Sequence, residues 1–214
     1  MLSELVLFAY TLLRYKMTPI TRVISLALIF LALFQLSEFN VCGGRNAQIW
    51  SHIGFVAITL LPALGIHLIL LIAKKKKTLL RSISYAVSVT FALLFSLSSS
   101  NITAHVCGGN YAIFHIAERV GGFYFVYYYF WLFAGIGLCL YYSIKATEKI
   151  RQALILQVVG YLSFLLPTGI INMINPKTIQ GVPSIMCGFA VIYAFILVFG
   201  IVPLTISKRE LRKV

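Results

Sequence analysis

Residues 21–77 read TRVISLALIFLALFQLSEFNVCGGRNAQIWSHIGFVAITLLPALGIHLILLIAKKKK. Two apolar runs, 23–39 and 49–73, are joined by a short polar link, and four lysines end the second run. A helix needs about 20 apolar residues to cross a hydrocarbon layer of about 30 Å, and each run has that length or nearly so. The stretch therefore predicts a helical hairpin that lies in a membrane.

The composition of the whole chain agrees with that prediction. Of the 214 residues, 60% are hydrophobic and 11% are charged, whereas soluble domains are about 25% charged. The apolar runs are continuous, while the strands of a membrane barrel would alternate over about 10 residues. Since backbone polar groups in a bilayer must be satisfied within the protein, continuous runs predict helices. The expected fold class is all-α, a polytopic membrane protein.

The same pattern recurs along the chain and predicts a single bundle of seven transmembrane helices within residues 1–207. The expected spans are 2–15, 20–39, 49–73, 79–97, 120–144, 153–173 and 184–206, with a basic cytoplasmic tail at 208–214. The first span is short for a full crossing. We expect the sixth to be broken or kinked near Pro167, and a longer polar segment, 98–119, to separate the fourth from the fifth.

The basic residues predict the orientation of the bundle. The chain has 18 Lys and Arg against 5 acidic residues, a net charge of +13. Of these cations, 15 fall in the links after the first, third and fifth helices and in the C-terminal tail. Lys and Arg in short loops mark the cytoplasmic face, so we expect the N-terminus outside and the C-terminus inside. These cations can meet anionic lipid headgroups, and no domain suited to nucleic acid is indicated.

Two cysteines fall in the expected outer links, each within Val-Cys-Gly-Gly. Cys42 lies between the second and third helices, and Cys107 between the fourth and fifth. Because an outer compartment is usually oxidising, the pair can form a disulfide that staples the two links together. Two unpaired cysteines in tight glycine turns are the alternative.

Histidine, cysteine and glutamate near the expected outer surface point to a metal or haem iron site. One hypothesis for such a site is a single outer haem bound by His52 and His115. The sequence has no tight ligand pair such as H-x-x-x-H or C-x-x-C. Interfacial histidines hydrogen-bonded to loop carbonyls, with His105 among them, are therefore the alternative.

A carboxyl and an aromatic run give a second candidate site. Glu38 is an ionisable group near the outer interface, which can hold a cation or a proton or simply reach the headgroups. Residues 123–131 read FYFVYYYFW and cover every side of a helix. Some rings must face the interior, where they can line a pocket for an apolar or cationic ligand, beyond an ordinary aromatic belt. The candidate ligand-binding residues are Glu38, Trp50, Tyr127, Tyr128 and Trp131.

The helical hairpin also resembles a family of sensors. The residues that carry the resemblance are Leu36-Ser37-Glu38-Phe39, Trp50, Leu61-Pro62-Ala63-Leu64 and His67. With the polar link at 14–22, this pattern resembles the seven-transmembrane N-terminal sensor region of bacterial histidine kinases and diguanylate cyclases. The resemblance implies a bundle in the bacterial inner membrane that passes a signal to a cytoplasmic output domain. This chain departs from the family in its short first helix and in ending eight residues after the seventh, so a separate partner is expected.

Three functions follow as hypotheses. The first is a receptor-like sensory or accessory membrane protein, not an enzyme by itself, that acts through a protein partner. The second is the membrane-anchor subunit of an electron-transfer complex that binds haem or quinone. The third is a small transporter, which would bring polar residues together at the midplane with inverted repeats and broken helices. Enzyme motifs such as G-x-S-x-G, H-E-x-x-H and the P-loop do not occur in the sequence.

Overall fold

The computed structural model describes residues 1–44, 46–97, 102–107 and 112–206, without the side chains of 103–106 and 180. Within this part of the chain, six helices are long and apolar enough to cross a membrane. They are α2 (Pro19–Cys42), α3 (Ala47–Ile72), α4 (Thr78–Leu97), α5 (Glu118–Ser143), α6 (Glu148–Ile174) and α7 (Val182–Thr205). The prediction of an all-α membrane bundle is confirmed. Arg45 and the expected basic tail at 208–214 lie outside the described residues.

The central helix of the bundle is α3. It packs against α2, α4, α5 and α6, and it is the most buried of the six membrane helices. The second helix, α2, also contacts α7, and α6 contacts both α5 and α7. Because Pro62 within α3 has no N–H, the carbonyl of Ile58 one turn earlier loses its helical hydrogen bond.

The first helix, α1 (Leu2–Arg14), has 13 residues, which corresponds to about 20 Å. Its Glu4 accepts a hydrogen bond from Gln35 Nε2 at 2.8 Å, and the ring of Tyr10 lies 5.3 Å from that of Phe199. Gln35 lies two turns before the end of α2, so α1 begins at that depth in the bundle. Because α1 does not begin at the very end of the bundle, its 13 residues are enough to reach the opposite end.

The irregular membrane helix is α7, not α6. The sequence predicts that α6 is broken or kinked near Pro167, and the break is wrong, because α6 runs through this residue without interruption. Close to the proline, the hydroxyls of Ser163 and Thr168 donate to the carbonyls of Gly160 and Phe164, each at 2.7 Å. Local hydroxyls of this kind help a membrane helix to tolerate proline. In α7, the irregularity is a π-helical turn at Ile196–Ile201.

A small antiparallel hairpin closes one end of the bundle, where the sequence predicts only a polar segment. Its strands are β1 (Ile102–Cys107) and β2 (Ala112–Ile116), with Cys107 paired to Ala112. We call this the hairpin end, and the opposite end, which carries residues 74–77, the basic end. Phe114 of β2 is buried, with its ring centroid 6.2 Å from that of Phe34 and 5.3 Å from that of Phe55. The hairpin is thus packed onto α2 and α3.

A disulfide fixes the same hairpin covalently. Cys42 at the end of α2 is bonded to Cys107 at the end of β1, and their Cα atoms are 5.7 Å apart. The prediction of this bond is confirmed, and both cysteines are exposed. Cys139 and Cys187 are free and buried. The bond closes a loop with a sequence separation of 65 residues.

Deeper in the bundle, Tyr161 fills a space that glycines leave open. A Cβ at Gly65 of α3 would lie 2.2 Å from Tyr161 Oη, and one at Gly135 of α5 would lie 2.8 Å from the Tyr161 ring. Likewise, a Cβ at Gly160 of α6 would lie 2.3 Å from the ring of Tyr193. These glycines let helices approach across a tyrosine ring, as small residues do in membrane interiors.

Candidate functional site

A cavity of about 250 Å³ lies at the hairpin end. Its lining includes Phe114, His115 and Ile116 of β2, Tyr124, Phe125, Tyr128 and Tyr129 of α5, and Met186 and Cys187 of α7. The volume lies just below the range of about 300–1,000 Å³ that is common for drug-sized ligands. The mostly apolar and aromatic lining suits a small apolar ligand.

The periodicity of α5 explains which rings of the aromatic run reach this cavity. Tyr124 and Phe125 are followed four residues later by Tyr128 and Tyr129, so these rings form one stripe along the helix. Gly121 extends the stripe by one turn and also lines the cavity. The hairpin and the start of α7 cover this stripe, whereas other rings of the run face lipid or the core.

The other predicted ligand-binding residues lie elsewhere. Tyr128 lines the cavity, whereas Glu38, Trp50, Tyr127 and Trp131 lie outside its lining. Trp131 is buried in the core, and Trp50 is partly buried against it. The structure therefore gathers one of the five predicted residues into the cavity and adds its neighbours Tyr124, Phe125 and Tyr129.

Tyr127 instead connects three helices. Its hydroxyl donates to the Thr59 carbonyl of α3 at 2.6 Å and lies 2.7 Å from the Ser88 hydroxyl of α4. The Thr59 hydroxyl in turn donates to Tyr124 Oη at 3.1 Å. These contacts hold α5 against the α3–α4 pair and fix the rotation of the aromatic stripe.

We expect Tyr127→Phe to lower the free energy of unfolding by about 1–2 kcal/mol, because the buried hydrogen bonds of its hydroxyl with the Thr59 carbonyl and the Ser88 hydroxyl are lost. Thermal unfolding in detergent measures this change, with Tyr141→Phe as the control because that ring is 68% exposed. The affinity for a ligand of the cavity should stay the same. A loss of affinity without a loss of stability would show that Tyr127 contacts the ligand.

Glu38 of α2 is outside the cavity lining and lies beside β2 and α7. Its carboxyl lies beside the hydroxyl of Ser184 and the backbone of Ala112, and the Ser184 hydroxyl donates to the Ala112 carbonyl at 2.6 Å. Glu38 Oε1 is buried without a hydrogen-bond partner among the described residues. A buried carboxylate oxygen without a donor is costly, so this group is suited to holding a proton or accepting a donor that enters the site.

A second buried carboxyl, Glu4, is a residue that the sequence analysis missed. It is fully buried, and it accepts hydrogen bonds from Gln35 Nε2 at 2.8 Å and Ser3 Oγ at 2.9 Å. The Met1 amino group lies 2.6 Å from Oε2, the oxygen that Ser3 contacts, whereas Gln35 bonds to Oε1 and also reaches the Cys187 carbonyl at 3.4 Å. One sequence signal was available, since Glu4 shares a face with the buried Leu7 and Thr11 at the spacing i, i+3, i+7.

The two histidines of the haem hypothesis have different surroundings. His52 contacts the Phe95 carbonyl at the end of α4, and its Nε2 lies 2.9 Å from Gln48 Nε2. His115 lines the cavity, and the side chain of His105 lies outside the described residues. Across the described ranges, no three His, Cys, Asp or Glu side chains form a group that could hold a metal ion.

Comparisons with known proteins return no relative. No protein-family model, no curated protein and no solved structure matches the chain. The resemblance to the sensor region therefore stays a hypothesis from the sequence.

Proposed function

We propose that the protein is a receptor-like membrane sensor that binds a small apolar ligand at its hairpin end. The observation that carries the proposal is the cavity of about 250 Å³ between β2, the aromatic stripe of α5 and α7. Its aromatic walls favour a flat or branched apolar ligand. The His115 and tyrosine side chains in the lining offer polar groups that can orient such a ligand.

The proposal includes a membrane topology. Seven helices cross the membrane, because the short N-terminal helix α1 spans it together with α2 to α7. The N-terminus lies outside and the C-terminus in the cytoplasm. Two features on opposite ends of the bundle support this orientation. Lysines and arginines concentrate at the basic end, as on a cytoplasmic face, and the disulfide is at the hairpin end, as in an oxidising compartment. The bacterial inner membrane provides both surroundings.

A signal would travel along α7 to a partner at the basic end. Met186 and Cys187 of this helix line the cavity, and the π-helical turn at Ile196–Ile201 follows them toward the basic end. Such turns occur often at functional sites, and their hydrogen bonds join residues five apart where an α-helix joins residues four apart. If α7 exchanges between this hydrogen-bond pattern and a regular α-helix, a ligand that binds one conformation more tightly increases its population. A cytoplasmic partner would bind the two conformations of α7 differently.

The test uses aminoanthracene, an apolar dye that fluoresces more strongly in an apolar cavity. We expect saturable binding that Gly121→Leu weakens by about tenfold or more, since a side chain there occupies the cavity and a tenfold change corresponds to about 1.4 kcal/mol. Gly121 lines the cavity, and a Cβ at this position meets only Ile116, at 3.8 Å.

The matched control is Gly122→Leu. This neighbouring glycine is exposed, and a Cβ there meets nothing within 4 Å. The same substitution one residue away should leave dye binding unchanged. Equal affinities of the wild type and both variants would overturn the proposed site, because the dye would then bind elsewhere on the bundle.

One observation favours a quinone-binding membrane anchor as the second candidate. Aromatic rings form flat walls of the cavity, and His115 is part of its lining. A histidine side chain can hydrogen-bond to a quinone carbonyl. Native mass spectrometry of protein extracted gently from its host separates the two functions. A bound quinone or haem, or a redox-enzyme partner, supports the electron-transfer anchor, whereas a partner with a cytoplasmic output domain supports the sensor.

A further inference from the structure

A second cavity, of about 520 Å³, lies at the basic end between the α3–α4 link and the α5–α6 link. Three lysines of the first link, Lys74, Lys75 and Lys77, and Lys145 of the second contribute to its lining. Among the residues that the structure describes, no acidic side chain lines this cavity. Lysines that are distant in sequence thus surround one space and produce a strongly positive potential there.

The start of α6 adds to this potential. Thr147, the N-cap of α6, lines the cavity, and its side chain makes no capping hydrogen bond. The first backbone N–H groups of a helix have no partner within it, and they favour an anion together with the helix dipole. The nearby Glu148 is engaged with Arg151 at 2.6 Å and Gln152 at 3.0 Å.

Lys74 occupies an unfavourable backbone conformation at the mouth of this cavity. Its φ is 54°, in the left-handed region. The N–H of Lys74 bonds to the Leu71 carbonyl at 3.1 Å and that of Lys75 to the Leu70 carbonyl at 2.9 Å. This is a Schellman motif, whose left-handed position is usually a glycine. A lysine therefore occupies a position where a glycine would fit the backbone better.

The fourth feature of the cavity is an apolar flank. Tyr141 and Ile144 at the end of α5 line it, and they are 68% and 76% exposed. A soluble anion would gain nothing from these side chains, whereas a lipid can lay its acyl chains along them. Tyrosine is also typical of the level of the lipid headgroups.

We propose that this cavity binds the phosphate headgroup of an anionic phospholipid, held by Lys74, Lys75, Lys77 and Lys145 with the first amides of α6. Basic pockets between helices on the cytoplasmic side suit such headgroups. The site is at the opposite end from the hairpin-end cavity and does not depend on the proposed ligand there. A bound lipid would join the α3–α4 and α5–α6 links, which belong to different helical pairs.

The test measures lipid binding to detergent-solubilised protein by native mass spectrometry. Phosphatidylglycerol is compared with phosphatidylcholine of the same acyl chains, and we expect tighter binding of phosphatidylglycerol. Lys145→Gln and Lys77→Gln should each weaken that binding about fivefold, as expected for one lysine near an anionic surface. The variants change exposed link residues, and equal unfolding midpoints without lipid confirm that they fold.

Lys76→Gln is the matched control. Lys76 lies in the same run but lines a neighbouring cavity with His67 and Arg81. The affinity of the Lys76→Gln variant for phosphatidylglycerol should fall less than twofold, although this substitution removes the same charge. Equal losses for Lys76→Gln and Lys145→Gln, or equal binding of the two lipids, would overturn the site in favour of general charge attraction.

A final arm separates lipid from free phosphate. Inorganic phosphate at millimolar concentration, without lipid, should leave the unfolding midpoint unchanged. If it stabilises the wild type as much as phosphatidylglycerol does, and Lys145→Gln abolishes that effect, the ligand is a soluble phosphate and the lipid proposal is wrong.

Discussion

Gly65→Ala is expected to lower the free energy of unfolding by about 2–3 kcal/mol, because the added methyl group overpacks the centre of the bundle. A Cβ at this position would lie 2.2 Å from Tyr161 Oη. The ring of Tyr161 is buried and packs against Phe164 and Tyr193 at centroid distances of 6.0 and 5.6 Å. It is also close to Gly135 of α5, so it has little room to move away.

A second substitution tests this cause directly. The next Tyr161 atom from the added Cβ is Cζ at 3.4 Å, which is an ordinary contact. Tyr161→Phe removes only the hydroxyl, so it should restore most of the stability that Gly65→Ala loses. The coupling in this double-mutant cycle should be about 1–2 kcal/mol, within the range for residues in contact. Unfolding in detergent, followed by circular dichroism, measures the four proteins.

The control for helix propensity lies on α5. A Cβ at Gly137 meets nothing within 4 Å, whereas one at Gly135 meets the Tyr161 ring at 2.8 Å. Gly137→Ala should therefore be neutral or stabilise by up to about 1 kcal/mol, and Gly135→Ala should destabilise. If both substitutions have the same effect, Tyr161 does not occupy the space between α3 and α5.

Removal of the disulfide is expected to open the hairpin-end cavity. We predict that Cys42→Ser combined with Cys107→Ser speeds the modification of Cys187 by N-ethylmaleimide by about tenfold or more. Cys187 is 4% exposed and lines the cavity together with Phe114 of β2. Without the disulfide, the hairpin is held by the packing of Phe114 and by the Ser184–Ala112 hydrogen bond. A disulfide typically contributes about 2–4 kcal/mol, and a tenfold change requires only about 1.4 kcal/mol of it.

The free cysteine Cys139 serves as the internal control. It is fully buried in α5 and does not line the cavity. Mass spectrometry of the labelled peptides reports both sites in one sample. Faster labelling at Cys187 alone shows a local opening, faster labelling at both shows that the bundle as a whole has loosened, and unchanged labelling would show that the hairpin does not close the cavity.

Saturating aminoanthracene provides a second reading of the same experiment. Occupation of the cavity should slow the labelling of Cys187 in the disulfide-free variant, because dye and reagent compete for one space. The rate at Cys139 should not change. This result would join the proposed ligand site to the hairpin that covers it.

Six of the predicted membrane helices and the possibility of the disulfide could be derived from the sequence alone. Hydropathy over about 20 residues is a local property, and a long apolar run can satisfy its backbone in a bilayer only as a helix. The pairing of Cys42 with Cys107 was one of two alternatives for the two Val-Cys-Gly-Gly links, and the structure decides in its favour. That the bond is possible did not require knowledge of the helix packing, since adjacent links on one side of a bundle lie near each other.

Which side chains meet follows from the packing of the helices and not from any local pattern. The aromatic run has rings on every side of α5, so the run itself does not determine how this helix is rotated in the bundle. The rotation of α5 is fixed by the contacts of Tyr127 with Thr59 and Ser88. The hairpin consists of the paired strands β1 and β2, and it is held in place because Phe114 packs on α2 and α3.

The same holds at the basic end. The sequence shows a tetralysine run and a distant Lys145, but only the antiparallel packing of the helices places them around one cavity. The length and polarity of each helix are properties of its own residues. Which neighbour each face of a helix contacts depends on residues tens of positions away. No local pattern in the chain encodes those contacts.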